Sequence, residues 1–396
     1  MSEEWGCLMD AIKMFFKDQA QVIWKEAWNI ARDIGEHPEL GYQEYYAVDV
    51  LTQFLSRHGF MVEHSVAGLE TAFVARYKGN KPGPRIAFLA EYDALPGVGH
   101  GCGHNLIGAA SAGAAVLLSK SLELPGEVLV IGSPAEETSG AKVTLVRQGI
   151  FDGVDAALMF HPGSQNVPEV STLALDALEF VFLGRPAHAV AAAQYGVNAL
   201  DALINFFNGI NALKKQIPED ARINGIITEG GTAPNIVPER AVARFYIRAR
   251  SRKVLDDLRE QVIRCAQGAA GMVSAQVSWR TFEFSYDEMW TNRTMADAFA
   301  ENLKELGIRQ ISAPQAAMGS VDMGNVSRVV PAIHPYLALG HGTDIPHTRE
   351  FADAVLSQAG ERLLLLALRV LAFTGWDVLT DAKILNRIKK EFRSRI

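Results

Sequence analysis

Cysteine is scarce in this chain of 396 residues: there are Cys7, Cys102 and Cys265, and no others. So odd and sparse a set builds no disulfide framework and suits a reducing, cytoplasmic compartment. There, a thiol flanked by histidines is better explained by metal binding or catalysis than by cross-linking. Long apolar runs are lacking too. The longest, such as 361–373, are interrupted or too short to span a bilayer, so no membrane association is expected. The N-terminus, MSEEWGCLMD, lacks the basic segment and apolar stretch of a secretory signal. Positive charge is not in excess. A formal net charge of -7 argues against nucleic acid as a partner. Repeats and low-complexity stretches are absent.

What is present is ordinary globular composition, with 48% hydrophobic and 21% charged residues, which excludes a disordered chain. The length exceeds what one core supports, so two domains are expected. In the first part, Val22, Ile23, Ala27, Ile30, Ala31 and Ile34 recur at helical spacing over 19–34. Strand-like runs at 85–90, 127–133 and 155–160 alternate with helical patterns at 104–119 and 141–149. Such alternation predicts an α/β domain with a mostly parallel sheet and helices on both faces.

The pattern changes near residue 170. A strand at 173–183, a helix at 197–215, strands at 222–229 and 240–250, a helix at 252–268 and a strand near 274–284 follow. The helix at 197–215 carries Leu200, Leu203, Ile204, Phe207, Ile210 and Leu213 on one stripe. This β-α-β-β-α-β order is the split, ferredoxin-like α+β arrangement. It predicts an inserted domain over 173–287 and a discontinuous first domain over 1–172 and 288–396. Near the end, a large apolar helix is expected over 352–373. The tail 380–396 is basic and amphipathic and reads as a solvated surface helix.

The chemistry-bearing residues stand where the apolar strands end. RIAFLA (85–90) runs into Glu91-Tyr92-Asp93 and then Gly99-His100-Gly101-Cys102-Gly103-His104-Asn105. EVLVIGS (127–133) runs into Glu136-Glu137, and DAALMF (155–160) into His161. Ligands of open α/β sheets bind outside the carboxyl ends of the strands. Taken singly, each cluster has a bland explanation: a buried thiol and a capping histidine, two exposed loop acids, a satisfied core histidine. One metal site explains them together. The glycines flanking Cys102 let the backbone approach a site closely. Of two adjacent acids, one can bind metal while the other takes a proton from an activated water. Mixed imidazole, thiolate and carboxylate donors favour zinc, manganese, cobalt or nickel over magnesium or calcium.

In these residues the chain resembles the metallo-aminoacylase and carboxypeptidase superfamily of co-catalytic metallopeptidases. The branch it looks like includes indole-acetyl-amino-acid hydrolases, N-acyl-amino-acid hydrolases and p-aminobenzoyl-glutamate hydrolase. The matching stretches are HPELGYQE (37–44), AEYDALPGVGHGCGHN (90–105), SPAEETSGAK (133–142), MFHPG (159–163), RPAHA (185–189), GGTAPNIVP (230–238), MGSVDMGNVS (318–327) and HT (347–348).

The resemblance implies two divalent metal ions per subunit, zinc or manganese above cobalt or nickel. Their ligands would be Cys102, His104, Glu137, His161 and a C-terminal histidine. That last is His347, with His341 and His334 as nearby competitors. Glu136 matches the general base, and Asp93 an acid that supports the metal site from behind. His188 resembles a histidine that polarises the scissile carbonyl, and that in related dimers reaches the other subunit's site. Asn235 and Arg248 resemble groups that grip a substrate carboxylate, though Arg248 is one of several arginines on an alternating strand.

The implied activity is hydrolysis of an amide bond in a small substrate bearing a carboxylate: an N-acyl amino acid, an aminobenzoyl-glutamate-like conjugate or a dipeptide. The inserted domain would serve as lid and dimerisation surface of a homodimer. AEYDALP stands where many relatives have ADMDALP, and Asn105 where they have Asp. Those variants look like the dipeptidase and aminobenzoyl-glutamate branch. The same site could instead deaminate an aromatic amine or hydrolyse a carbamoyl group, and a non-catalytic binding protein that keeps the fold is the remaining alternative.

Overall fold

The computed structural model describes residues 2–314, 319–340 and 345–395, with side chains from residue 12 onward. In chain order the first elements are α1 (Ser2–Glu36), α2 (Tyr45–Arg57), β1 (Met61–His64), β2 (Phe73–Lys78), β3 (Lys81–Ala90), α3 (His104–Ser119), β4 (Pro125–Gly132), α4 (Ala141–Arg147), β5 (Ala156–Leu158) and β6 (His161–Gly163). Then come β7 (Ala174–Leu183), α5 (Ala199–Leu213), β8 (Arg222–Glu229), β9 (Arg240–Ala249), α6 (Arg252–Met272) and β10 (Gln276–Thr281). The last are α7 (Arg293–Glu305), α8 (Met323–Ser327), β11 (Ala332–Ile333), β12 (Tyr336–Ala338), α9 (Arg349–Val355), α10 (Gln358–Thr380) and α11 (Ala382–Arg393).

The chain divides into two compact units. One holds the residues up to Ser171 and most of those after Met289. The other holds Thr172–Glu288 and a short later segment ending at Gly324.

In the first unit the sheet order is β1-β2-β4-β3-β5-β11. The pairs β3–β4, β3–β5 and β5–β11 are parallel, while β1–β2 and β2–β4 are antiparallel. The parallel part is thus the half that carries the chemistry-bearing strand ends. A separate two-stranded ribbon pairs β6 with β12, so His161 opens a strand of its own rather than closing β5.

Helix α3 is buried along its whole length, which its composition permits. A Cβ on Gly113 would meet Leu368 Cδ1 at 2.4 Å, and one on Gly108 would meet the Glu91 carbonyl at 2.8 Å. Small residues therefore let α10 and the end of β3 approach α3 closely. Helix α1 begins well before the periodic stretch at 19–34. Its buried stripe starts at Phe16 and continues through Ala20, Ile23, Ala27 and Ile34, while Val22, assigned to that stripe by spacing, is exposed.

The C-terminal apolar helix is two helices. Ser357 accepts the Ala359 N–H as N-cap of α10, and a Cβ on Gly360 would overlap the Val355 carbonyl at 1.9 Å. Helix α10 reaches 23 residues, long and apolar enough to cross a membrane, but 78% of its apolar window is buried inside the protein. That is the signature of a core helix.

In the second unit the sheet order is β10-β7-β9-β8, antiparallel throughout, with α5 and α6 packed on it. Its core is aromatic. The Phe206 ring lies 4.8 Å from Phe180 and 5.0 Å from Phe245, centroid to centroid. Helix α5 buries Ala202, Leu203, Phe206 and Ile210, so the inward stripe is rotated from the one read by spacing and leaves Ile204 exposed. On β9 the alternation holds from Ala243 onward, but Val242, expected on the outer face, is buried. Ala241, Ala243, Phe245, Ile247 and Ala249 are buried, whereas Arg244 is exposed and Tyr246 and Arg248 are half-buried.

Candidate metal centre

Gly103, with φ 74°, turns the chain into α3 so that His104 becomes its first residue. A Cβ there would stand 2.8 Å from Pro162 Cγ, so glycine alone brings the Cys102–His104 segment against the His161-Pro162 strand. Opposite, β4 ends in a tight turn in which the Thr138, Ser139 and Gly140 N–H groups all donate to the Ala135 carbonyl. This turn presents Glu136 and Glu137. From the C-terminal part comes His347, also at positive φ (66°), whose N–H donates to the Gly101 carbonyl at 2.9 Å.

These segments bring donor atoms together. Cys102, His104 and His161 form one group, Cys102, Glu137 and His347 a second, and His104, Glu136 and Glu137 a third, with the donor atoms of each within 4.8 Å of one another. Each pair of groups shares one residue: Cys102, His104 or Glu137. His347 Nε2 lies 3.6 Å from Glu137 Oε1. His334 is buried beside His161, ring centroids 5.6 Å apart, but belongs to none of the three groups. His341 lies outside the described residues.

The fit to a metal is tested best at His104. Its Nδ1 bonds Asp93 Oδ1 at 2.8 Å, while its Nε2 is buried with no hydrogen-bond partner. A histidine tied to a carboxylate through one nitrogen and empty at the other is the arrangement of an oriented metal ligand. The donors also suit a divalent ion: one thiol, three imidazoles and a carboxylate. Asp93 does a second job, since its Oδ2 accepts the Glu137 N–H at 2.9 Å.

The electrostatics agree with a site built for cation. Burial disfavours a charged His104, yet Asp93, Glu91 and Glu137 outweigh it and raise its pKa well above the ordinary value. Burial, with His104 nearby, lowers His161. Burial, with His161 nearby, lowers His334 to about 3. Burial, reinforced by Glu137 and Glu136, pushes the Cys102 thiol far up. Without a cation, then, thiol and carboxylates crowd together and His104 holds a proton that an ion would replace.

Three neighbours, Glu91, Lys142 and Tyr336, carry no role in the sequence-based expectations. Glu91 and Lys142 form a buried ion pair at 2.6 Å, and Glu91 Oε2 reaches to 3.5 Å from His104 Nε2. The signal was an acid directly after an apolar strand, but its partner is 51 residues away. Tyr336, on β12, sets its ring 5.1 Å from that of His161 and tilted by 49°, and burial together with Glu136 raises its hydroxyl pKa.

The remaining expected residues lie in the second unit. His188 Nδ1 accepts the N–H groups of Val190 and Ala191, both at 3.2 Å, which leaves the proton of the neutral ring on Nε2. The Ala189 N–H donates to the Asn235 carbonyl at 3.0 Å, so His188 and Asn235 sit on adjacent segments, both exposed. Arg248 lies on β9 with its guanidinium 5.2 Å from the Tyr246 ring centroid.

Residues 87–369 match the model of peptidase family M20/M25/M40. The Xaa-Arg dipeptidase of Mus musculus is 36% identical over 384 residues, covering 93% of this chain and 89% of that protein. One of the subunits of p-aminobenzoyl-glutamate hydrolase from Escherichia coli (strain K12) is 34% identical over 331 residues, covering 78% of this chain and 68% of that one. Among solved structures, a putative aminohydrolase from methicillin-resistant Staphylococcus aureus superimposes with a TM-score of 0.75 at 19% identity, covering 90% of this chain and 99% of that chain. The Bacillus subtilis YXEP protein, described as a dinuclear metal-binding peptidase, does so with a TM-score of 0.68 at 24% identity, covering 89% and 99%. With the family model matched over residues 87–369 and relatives at 34–36% identity, the chain belongs to peptidase family M20/M25/M40 and is a metal-dependent amidohydrolase.

Proposed function

We propose that this chain cleaves the amide bond of a dipeptide, an N-acyl amino acid or an aminobenzoyl-glutamate-like conjugate, with Glu136 as general base. The observation that supports this reading is the overlap of donor groups, Cys102 with His104 and His161 and Cys102 with Glu137 and His347, beside a buried His104 Nε2 that has no hydrogen-bond partner. Those five residues would hold two divalent ions, zinc or manganese before cobalt or nickel. Such ions supply Lewis acidity to the scissile carbonyl and lower the pKa of water.

The chain's own groups do the rest. Glu136 takes the proton of the attacking water and returns it to the leaving amine. His188 donates from Nε2 to the carbonyl oxygen as negative charge grows there. Asn235 and the planar fork of Arg248 hold the substrate carboxylate.

A panel assay tests the reading. Purified protein with added manganese or zinc is offered dipeptides ending in arginine, N-acetyl amino acids, aminobenzoyl-glutamate, a carbamoyl amide and an aromatic amine. The expected result is amide cleavage of one or more carboxylate-bearing substrates, abolished by chelation. Ammonia released from the aromatic amine alone, or decarbamoylation alone, would put the deamination or carbamoyl reading in its place. No turnover with any ion would favour a binding protein.

We also propose a homodimer formed through the second unit. Support comes from β8, the edge strand of its sheet, where Ile226 and Ile227 are 64% and 46% exposed. An apolar unpaired edge is a surface that calls for covering. Light scattering is expected to give twice the chain mass of 43.2 kDa, and a single-chain mass at micromolar concentration would sink the idea.

A further inference from the structure

HPELGYQE (37–44) carries no chemistry in the proposed mechanism, yet it packs against the turn that presents Glu136. Glu44 is fully buried, and its Oε1 accepts the Ala135 N–H at 2.8 Å. On the other side of Glu136, Asp93 Oδ2 accepts the Glu137 N–H at 2.9 Å. Glu136 therefore stands between two peptide N–H groups, each held by its own buried carboxylate. Ala135 has φ 56°, a left-handed conformation that alanine keeps only when its surroundings impose it.

The same segment supplies more of that imposition. A Cβ on Gly41 would lie 2.9 Å from Ala135 Cβ and 2.4 Å from Thr138 Oγ1. The Tyr42 hydroxyl accepts a hydrogen bond from Ser139 Oγ at 2.8 Å. Glu39 and Leu40 are tied to Ala94, next to Asp93: the Ala94 N–H donates to the Glu39 carbonyl at 2.8 Å, and Leu40 bridges Ala94. One short stretch thus braces both carboxylate-bearing turns.

We propose that Glu44, backed by Gly41 and Tyr42, is a positioning residue that holds the Pro134–Ala135 peptide, and with it the turn that carries Glu136, in the orientation from which Glu136 works as general base. This rests on the base assignment made above. Burial raises the Glu44 carboxyl to about 7, so a neutral side chain of the same shape is compatible with its surroundings.

The test compares Glu44→Ala, Glu44→Gln, Gly41→Ala and Glu136→Gln, each assayed for metal content, kcat and KM. Glu44→Ala is expected to keep its metal and its KM while kcat falls on the order of 10²-fold, the cost of a displaced catalytic group. Glu44→Gln, whose Oε1 can accept the same N–H, recovers most of that loss. Gly41→Ala pushes on the same turn from the other side and lowers kcat with metal retained, which keeps the test alive should Glu44→Ala not fold. A wild-type kcat in Glu44→Ala, or a kcat loss that only tracks lost metal, overturns the proposal. If Glu136→Gln stays active, the base assignment itself fails, whatever the Glu44 variants do.

Discussion

Glu136→Gln is expected to lower kcat by about 10²–10⁴-fold, the usual contribution of a general base, with metal content and KM little changed. The expectation follows from how the two adjacent acids differ. The Glu137 N–H is anchored to Asp93, and Glu137 Oε1 lies near both His104 Nε2 (3.9 Å) and His347 Nε2 (3.6 Å), which is where a ligand belongs. Glu136 shares a donor group with His104 and Glu137 but none with Cys102 and His347. It is half-buried, so it can reach a water at the site while keeping contact with solvent. Glutamine keeps the shape and removes the basicity. Glu137→Gln should instead deplete metal. If the two variants show the reverse pattern, with metal lost in Glu136→Gln, the roles are exchanged; if Glu136→Gln turns over within a few-fold of wild type, the base assignment falls, and if Glu137→Gln keeps its metal, the ligand assignment falls.

How much of this was legible in the sequence depends on how local each feature is. Helix α3 spans His104–Ser119, the stretch its small and apolar residues outline, because its burial is uniform and its start is set by Gly103. The strand-end clusters were visible because each is contiguous with an apolar run. Elements without such a run were not: β1 and β2 are short and mixed in pattern, and the antiparallel edge they form went unread. Spacing placed Val22 and Ile204 on inward stripes; in α1 the rest of the stripe is buried and Val22 lies just off it, whereas in α5 packing rotated the stripe and left Ile204 exposed. The positive φ of Ala135 was beyond reach, since alanine does not advertise a left-handed backbone. The Glu44–Ala135 contact, 91 residues apart, and the Glu91–Lys142 pair are properties of the fold that no local pattern encodes. That is why the donors could be found from sequence while the parts that aim them could not.

Metal affinity should rise steeply with pH, and the two donors on the Cys102–His104 segment set the slope. In the metal-free protein, burial and then the carboxylates of Glu137 and Glu136 raise the Cys102 pKa, so the thiol keeps its proton through the neutral range. His104 is buried, but Asp93 and Glu91 raise its pKa well above the ordinary value, so it too is protonated there. His161 is shifted the other way by burial and is neutral, so it has no proton to lose. An ion must displace the proton from each of the first two, because it binds thiolate and neutral imidazole. The sign is therefore fixed: below both raised pKa values, each displaced proton makes the apparent affinity climb tenfold per pH unit. Two protons give about 100-fold per unit around neutrality. Cys102→Ala removes one of them, so its slope should fall to about tenfold per unit, in addition to weaker binding at every pH. Competition titrations with a chelating dye between about pH 6.5 and 7.5, ordinary territory for histidine, read this directly. Calorimetry in buffers of different ionisation enthalpy counts the same protons independently. Equal slopes in wild type and Cys102→Ala would mean that the thiol is not displaced from its proton, and Cys102 would then be no ligand.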